Sequence, residues 1–237
     1  MNKNFILNVI NRYYLGGEVE SVVMKVENGN LNFRFINVSK NMIGEMSVNN
    51  FLDSGNYEIG ILQTTQLLKL ISILKDEFSF DIMTVGDKAI SIQMHNSEYS
   101  INYALADLSV IPKTSWLKQV PEFQSRININ DEFIDRYIKG KNAIVNSTSF
   151  SIVNGGKFII GNPLANNTNI TIPVSFEYMK IDKSISFSAN ALKEILLANK
   201  GANTFILNIS NEGLIEILIE SDAVKCSYYL AEIVGEY

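Results

Sequence analysis

The stretch IGILQTTQLLKLISILKDEFSFDIMTVGDKAISIQMHNSEYSINYALAD, residues 59–107, has a counterpart half a chain later in ISFSANALKEILLANKGANTFILNISNEGLIEILIESDAVKCSYYLAE, residues 185–232. Leu68-Lys69 falls on Leu192-Lys193, and Leu105-Ala106-Asp107 falls on Leu230-Ala231-Glu232. Working outward, Phe5-Ile6 answers Phe133-Ile134, and the turn Asn28-Gly29 answers Asn154-Gly155. A period of about 125 residues is far longer than the roughly 20–50 residues of a solenoid unit. The chain is therefore a duplicated domain, and its function depends on what two such domains build together.

Apolar residues recur at helical spacing over 3–14, 64–76, 130–141 and 189–200. Asn130-Asp131-Glu132 and Ser188-Ala189-Asn190 have the chemistry of helix N-caps, while Gly16 and Gly201 are C-terminal stops. Most of the remainder reads as short strands rich in Val, Ile, Phe and Tyr. Residues 21–26 and 31–36 flank Asn28-Gly29, 80–85 and 89–94 flank Gly86-Asp87, and 205–209 and 214–219 flank Asn211-Glu212-Gly213. Such loops favour hairpins. Each domain is then helix, strand group, helix, strand group, which is an α+β order with helices on one face of antiparallel sheet. Between the halves lies PKTSWLKQVPEFQS, with two prolines, no clear period and the single tryptophan. The expected division is an N-terminal domain 1–111, a connector 112–125 and a C-terminal domain 126–237.

Composition narrows the class. With 46% hydrophobic and 19% charged residues over 237 positions, the chain can bury two ordinary cores. No apolar run approaches the roughly 20 residues that span a bilayer, so no membrane partner is expected. The N-terminus lacks the pattern of a signal peptide, and one cysteine permits no internal disulfide. The expected setting is intracellular and cytoplasmic rather than secreted. Enzyme signatures are missing: His95 stands alone, Cys226 reads as a small buried apolar residue, and no Cys/His cluster has metal-ligand spacing. Gly155-Gly156-Lys157 lacks the context of a phosphate loop and reads as a hairpin turn. Asp131, Glu132 and Asp135 open a helix, where carboxylates complement the macrodipole. No catalytic residue, metal ligand or cofactor is expected.

The helices carry the stronger signal. They hold Lys3, Arg12, Lys69, Lys75, Arg136, Lys139, Lys141, Lys193 and Lys200 against Asp76, Asp131, Glu132, Asp135 and Glu194. Nine basic against five acidic residues is a net +4, which leaves eleven against twenty, −9, for the rest. At about 100° per residue, Leu67, Leu70, Ile71 and Leu74 form an apolar stripe opposite Lys69. Ala191, Ile195 and Ala198 face inward, with Lys193 and Lys200 on the other side. Phe133, Ile134, Tyr137 and Ile138 form a third stripe, with Arg136 and Lys139 projecting away. The first helix exposes Asn4, Asn8, Asn11 and Arg12. Any amphipathic helix has a charged outer face. Four of them set in an acidic remainder fit sequence-independent contact with a phosphate backbone better.

At this point the chain resembles the DNA polymerase sliding clamps of the two-domain type, which include proliferating cell nuclear antigen and the T-even phage processivity factor. The resemblance covers nearly the whole chain and rests on the order, spacing and duplication of SISFSANALKEILLANK, KCSYYLAEI and LADLSVIP. It implies a homotrimeric ring, closed head to tail, with twelve helices lining a hole for duplex DNA. It also implies a DNA polymerase tethered through a short hydrophobic peptide and an ATP-dependent clamp loader. The DNA-facing residues would be Asn8, Arg12, Lys69, Lys75, Arg136, Lys139, Lys141, Lys193 and Lys200. The partner site would be Met42, Ile43, Trp116, Leu117, Val120, Ala231, Ile233 and Val234.

Two departures stand out. A strand at 126–129 precedes the helix of the second domain, whereas the first domain starts almost directly in its helix. Glu232 stands where eukaryotic relatives have proline. The short length, the absent first strand and the Asn/Ile/Lys bias lean towards a viral clamp, whose setting would be the cytoplasm of a bacterial host. The alternative from another class is a structural or assembly protein, such as a viral particle component, built from the same duplicated domains.

Overall fold

The computed structural model describes residues 1–114, 117–153, 155–161 and 168–233. It falls into two compact units. One holds Met1–Val38 and Gly44–Ser115 with Ala223–Lys225; the other holds Ser39–Ile43, Trp116–Asp222 and Cys226–Tyr237.

The first half runs α1 (Lys3–Tyr14), β1 (Val22–Glu27), β2 (Asn30–Ile36), β3 (Met42–Val48), β4 (Tyr57–Ile61), α2 (Thr64–Ser72), β5 (Ser79–Val85), β6 (Lys88–His95) and β7 (Ser100–Ala104). A single 3-10 turn, Leu108–Val110, follows. Strands β4-β1-β2-β3 lie side by side in that order, and β5-β6-β7 form a separate antiparallel sheet. The β1–β2 turn needs Asn28 at φ 50° and Gly29 at φ 80°, the left-handed pair that an Asn-Gly hairpin supplies. A Cβ on Gly29 would also lie 2.4 Å from the Leu52 carbonyl oxygen. Helix α1 begins at Lys3 with no strand before it; only Asn2 makes an isolated bridge, to Glu77.

The second half runs β8 (Ser125–Asn128), α3 (Asp131–Ala143), β9 (Ser149–Val153), β10 (Lys157–Ile160), β11 (Ile170–Pro173), β12 (Phe176–Met179), β13 (Ile185–Ser188), α4 (Ala189–Ala198), β14 (Thr204–Ser210), β15 (Leu214–Ser221) and β16 (Val224–Ala231). Its strands form the orders β12-β8-β14-β15-β16 and β11-β10-β9-β13. Here β8 does precede the helix. Gly155 and Gly156, at φ 91° and 78°, make the β9–β10 turn, which agrees with the hairpin reading of that glycine pair.

Each unit packs two helices on its sheets. In the first, Ile6, Val9 and Ile10 of α1 and Leu67 of α2 meet Ile59 and Ile61 of β4 around a void of only about 20 Å³. In the second, Phe133 and Tyr137 of α3 stack on each other and meet Phe158 and Phe150 edge-on. Burying side chains of this size stabilises by roughly 1.5–3 kcal/mol each. Both cores carry the same polar tie between helices. The fully buried Tyr13 hydroxyl lies 3.1 Å from Thr64 Oγ1 at the start of α2, and the Tyr137 hydroxyl donates to Ala189 O, 3.3 Å, at the start of α4. Burial pushes both phenols well above their ordinary pKa, so they stay protonated.

The caps follow the sequence. Asn2, Asn130 and Ser188 accept from the amides of Phe5, Phe133 and Ala191. Two helix ends come earlier than the apolar spacing indicates. Helix α2 stops at Ser72 instead of 76, where Lys3 Nζ reaches the carbonyls of Ser72 and Leu74, both at 2.7 Å. Helix α4 stops at Ala198, because the buried Asn199 amide donates to Ile195 O and to the Tyr228 hydroxyl.

Candidate functional site

The outer faces of the helices decide how much cationic surface each unit offers. On the first unit, Asn4, Asn8 and Asn11 are exposed along α1, and Lys69 is exposed on α2. Lys69 makes no ion pair among the described residues. Arg12 corrects the expected face, being only 4% exposed. It sits beside the stripe of Val9 and Tyr13 rather than opposite it, so its guanidinium is enclosed. Lys75 is a second correction. It lies past the end of α2 and pairs with Glu98 at 2.7 Å in the β6–β7 hairpin, so it does not extend the helix face.

On the second unit, Arg136 and Lys139 project from α3 as expected. Lys141 does not; it is 4% exposed. It follows Tyr137 by four residues and Ile134 by seven, which places it on the apolar side. Its stem is buried and its ammonium reaches past the helix end to Val145 O at 3.1 Å. Desolvation, then the neighbouring Lys193, lowers its pKa. On α4 the buried residues are Ala189, Ala191, Leu192, Ile195 and Leu196, while Ala198 is only half-buried. That face is turned towards Leu192 and Leu196, and it leaves the Lys193 side chain only 26% exposed.

Three of these cations have acidic neighbours. Lys200 Nζ meets Asp135 Oδ1 at 2.6 Å, Arg136 meets Glu132 at 3.8 Å within α3, and Lys193 meets Glu194 at 3.5 Å. The hydrogen bond from Lys200 holds the Asp135 carboxyl below its ordinary range, and Asp135 in turn raises Lys200.

The expected partner residues are only partly brought together. Ala231 N donates to Asn41 O at 2.9 Å and Ile233 N donates to Ser186 O at 2.8 Å, which sets the tail beside the Met42-Ile43 segment. Met42 itself is 1% exposed, because side chains alternate along β3 and Met42 faces the core with Met46. Ile43, on the opposite face, is half-buried, as are Leu117 and Ile233; Val120 and Ala231 are exposed. Trp116 and Val234 lie outside the described residues.

One further feature of the first unit has only a weak sequence signal. The segment after β7 folds back over the first unit's sheet and encloses a groove of about 600 Å³, lined by Val23, Lys25, Arg34, Glu45, Leu108 and Ile111 among others. Ala106 N donates to Gly60 O at 2.9 Å, and Thr114 Oγ1 donates to Arg34 O at 3.5 Å. A Cβ at Gly60 would meet Ala106 O at 2.5 Å, so only glycine allows this approach. The apolar Leu108 and Ile111, spaced by three just before Pro112, were the available signal.

Among the described residues, no group of His, Cys, Asp and Glu is placed to hold a metal ion, and no helix is long and apolar enough to cross a membrane. No protein-family model and no curated protein sequence matches the chain. Solved structures do match it over its whole length. A PCNA from A. fulgidus, solved with the C-terminal region of FEN-1 bound, gives a TM-score of 0.76 at 13% identity, covering 100% of this chain and 98% of that one. The proliferating cellular nuclear antigen of Entamoeba histolytica gives 0.74 at 14% identity, with coverage of 98% and 96%. A PCNA2–PCNA3 complex from Sulfolobus tokodaii gives 0.72 at 9% identity, with coverage of 99% and 98%. At these identities the likeness establishes the fold, which is the duplicated α+β clamp fold of PCNA.

Proposed function

We propose that this chain is a sliding clamp, a DNA polymerase processivity factor without catalysis of its own. Three copies would close head to tail around duplex DNA. Residues 1–111 and 126–237 would be the clamp domains of each copy, joined by the connector 112–125, and an ATP-dependent loader would open the ring. The observation that carries the reading is the match in fold to PCNA structures from end to end of the chain. The polar helix faces support it. Asn8, Lys69, Arg136, Lys139, Lys193 and Lys200 offer hydrogen bonds and charge with no aromatic or base-reading pattern, which suits contact that slides along phosphates.

The polymerase would dock where the tail meets Ile43, and along Leu117 and Val120 of the connector. Tethering converts a weak contact into a persistent one by raising effective concentration. We assign the protein a cytoplasmic setting, that of a bacterial host if it is viral.

The test is retention on DNA. Loaded onto circular duplex, the chain should stay bound through a salt wash and be released when the circle is linearised. Reversing Lys69 and Lys139 to Glu should cut loading onto the circle, whereas reversing Lys25 and Lys157, which lie on strands, should not. Release from circular and linear DNA at one rate would favour an assembly protein of the same fold.

A further inference from the structure

Around α3 and α4 of the second unit, cations meet carboxylates of the same unit, with Lys200 lying just past the end of α4. Lys200 bonds Asp135, Arg136 lies one turn from Glu132, and Lys193 adjoins Glu194, at 2.6, 3.8 and 3.5 Å. The paired side chains are between 26% and 74% exposed. Ion pairs in such positions contribute roughly 0–1 kcal/mol to folding. Helices α3 and α4 are held instead by Phe133, Ile134, Tyr137, Ala191 and Ile195, all buried. Beyond the macrodipole contribution of Glu132 and Asp135 near the start of α3, the stability of the fold accounts for little of this pairing. On the first unit Lys69 makes no such pair among the described residues.

Resting on the sliding-clamp reading, we infer that Glu132, Asp135 and Glu194 are attenuating residues that keep the second unit's grip on the phosphate backbone loose. A phosphate approaching Lys200 meets an ammonium already bonded to Asp135, so it must displace a carboxylate of like charge before it gains the contact. The net electrostatic gain per phosphate is small, and the same cation is recaptured by its own carboxylate when the phosphate moves on. A ring that must hold DNA topologically and still travel along it needs contacts of this kind: numerous, exchangeable and individually weak. The carboxylates act through their cationic partners and do not themselves touch the DNA.

The experiment compares the full-length chain with the E132Q/D135N/E194Q variant, using a short fluorescent duplex and anisotropy over a salt series. Each freed cation that engages a phosphate steepens the plot of log affinity against log salt by about 0.9. Three of them add up to about 2.7 per chain, so a fourfold change in salt alters the variant's affinity about 40-fold more than the wild type's. Two controls separate pairing from bulk charge. E27Q removes a carboxylate of the same charge from its 2.7 Å pair with Lys25 on β1 and should leave the slope unchanged. D135N should have no effect in a K200Q background. Thermal unfolding of the triple variant should stay cooperative and within a few degrees of the wild type, the macrodipole term of Glu132 and Asp135 being small, which excludes a folding defect. Wild-type binding that the triple variant does not strengthen, or an E27Q effect as large per charge, overturns the inference and leaves the clamp reading standing. Binding by neither chain overturns the inference, and the clamp reading then stands or falls on retention on circular duplex.

Discussion

Asp107 shows how much a single exposed side chain organises. Its carboxylate accepts from Lys88 Nζ at 2.6 Å and from both Ser109 N and Ser109 Oγ, at 3.0 and 2.8 Å. It thus caps the one-turn helix Leu108–Val110 and ties it to β6. Those bonds, that of Lys88 foremost, hold its carboxyl well below the usual carboxylate range. The sign follows from linkage: a carboxyl with a depressed folded pKa contributes stability that is complete above its unfolded value and lost as pH falls through the folded one. Asp107→Asn should therefore lower the melting temperature at neutral pH. The gap to wild type should stay constant down to about pH 4, near the unfolded value for aspartate, and close progressively below it. A gap independent of pH would mean that the carboxylate's charge is not what holds the turn. This role was not visible in LADLSVIP, because Lys88 is far from Asp107 in sequence and meets it only through the pairing of β6 with β7. The enclosure of Arg12 and of Lys141 has different causes. Lys141 lies on the apolar side by its spacing from Tyr137 and Ile134, so the wheel held the answer. For Arg12, beside the stripe, only packing decides that the guanidinium is enclosed.

At the scale of elements, signals carried by a few adjacent residues were legible. Asn130 and Ser188 were identified as caps and make the expected bonds, and the Asn28-Gly29 hairpin forms where its left-handed pair requires it. Helix ends set by distant groups were not. Helix α2 stops where Lys3, at the other end of the first half, reaches its carbonyls, and α4 stops where Asn199 finds Tyr228 on β16. The tyrosine ties show the same limit in the repeat itself. Aligning Phe5 with Phe133 sets Tyr13 against Lys141, yet the residue that does the work of Tyr13 is Tyr137, one turn nearer its helix start. The two copies kept the bond to the second helix and moved its donor. The caps also give a direct prediction. Asn130→Ala removes the acceptor for Phe133 N, and denaturant unfolding should show a loss of about 1 kcal/mol, within the 0.5–2 kcal/mol usual for such caps. Asn130→Gly should lose only a few tenths. Equal losses would mean that the side chain's bond is not what starts the helix.

At the scale of the whole molecule the question is what closes the open sheet edges. Each unit exposes backbone at the margin of a small sheet, and exposed edges are templates for another chain. In the second unit, β13 is already engaged, since Ile233 N bonds Ser186 O, so β11 is the open edge of its sheet. In the first unit, β5-β6-β7 offers its outer strands. Pairing β11 of one copy with the three-stranded sheet of the next is heterologous, and a heterologous contact generates a ring if the rotation closes. With two domains per chain, the clamp reading predicts closure at three. Light scattering should then give three times 26.6 kDa. Association should depend on concentration. Dilution should release monomer without unfolding, since each unit has its own buried core. A monomer at every concentration would remove the topological mechanism, leaving a fold that grips DNA, if at all, only from one side. A stable dimer would place the contact elsewhere, on a self-complementary surface rather than on these edges.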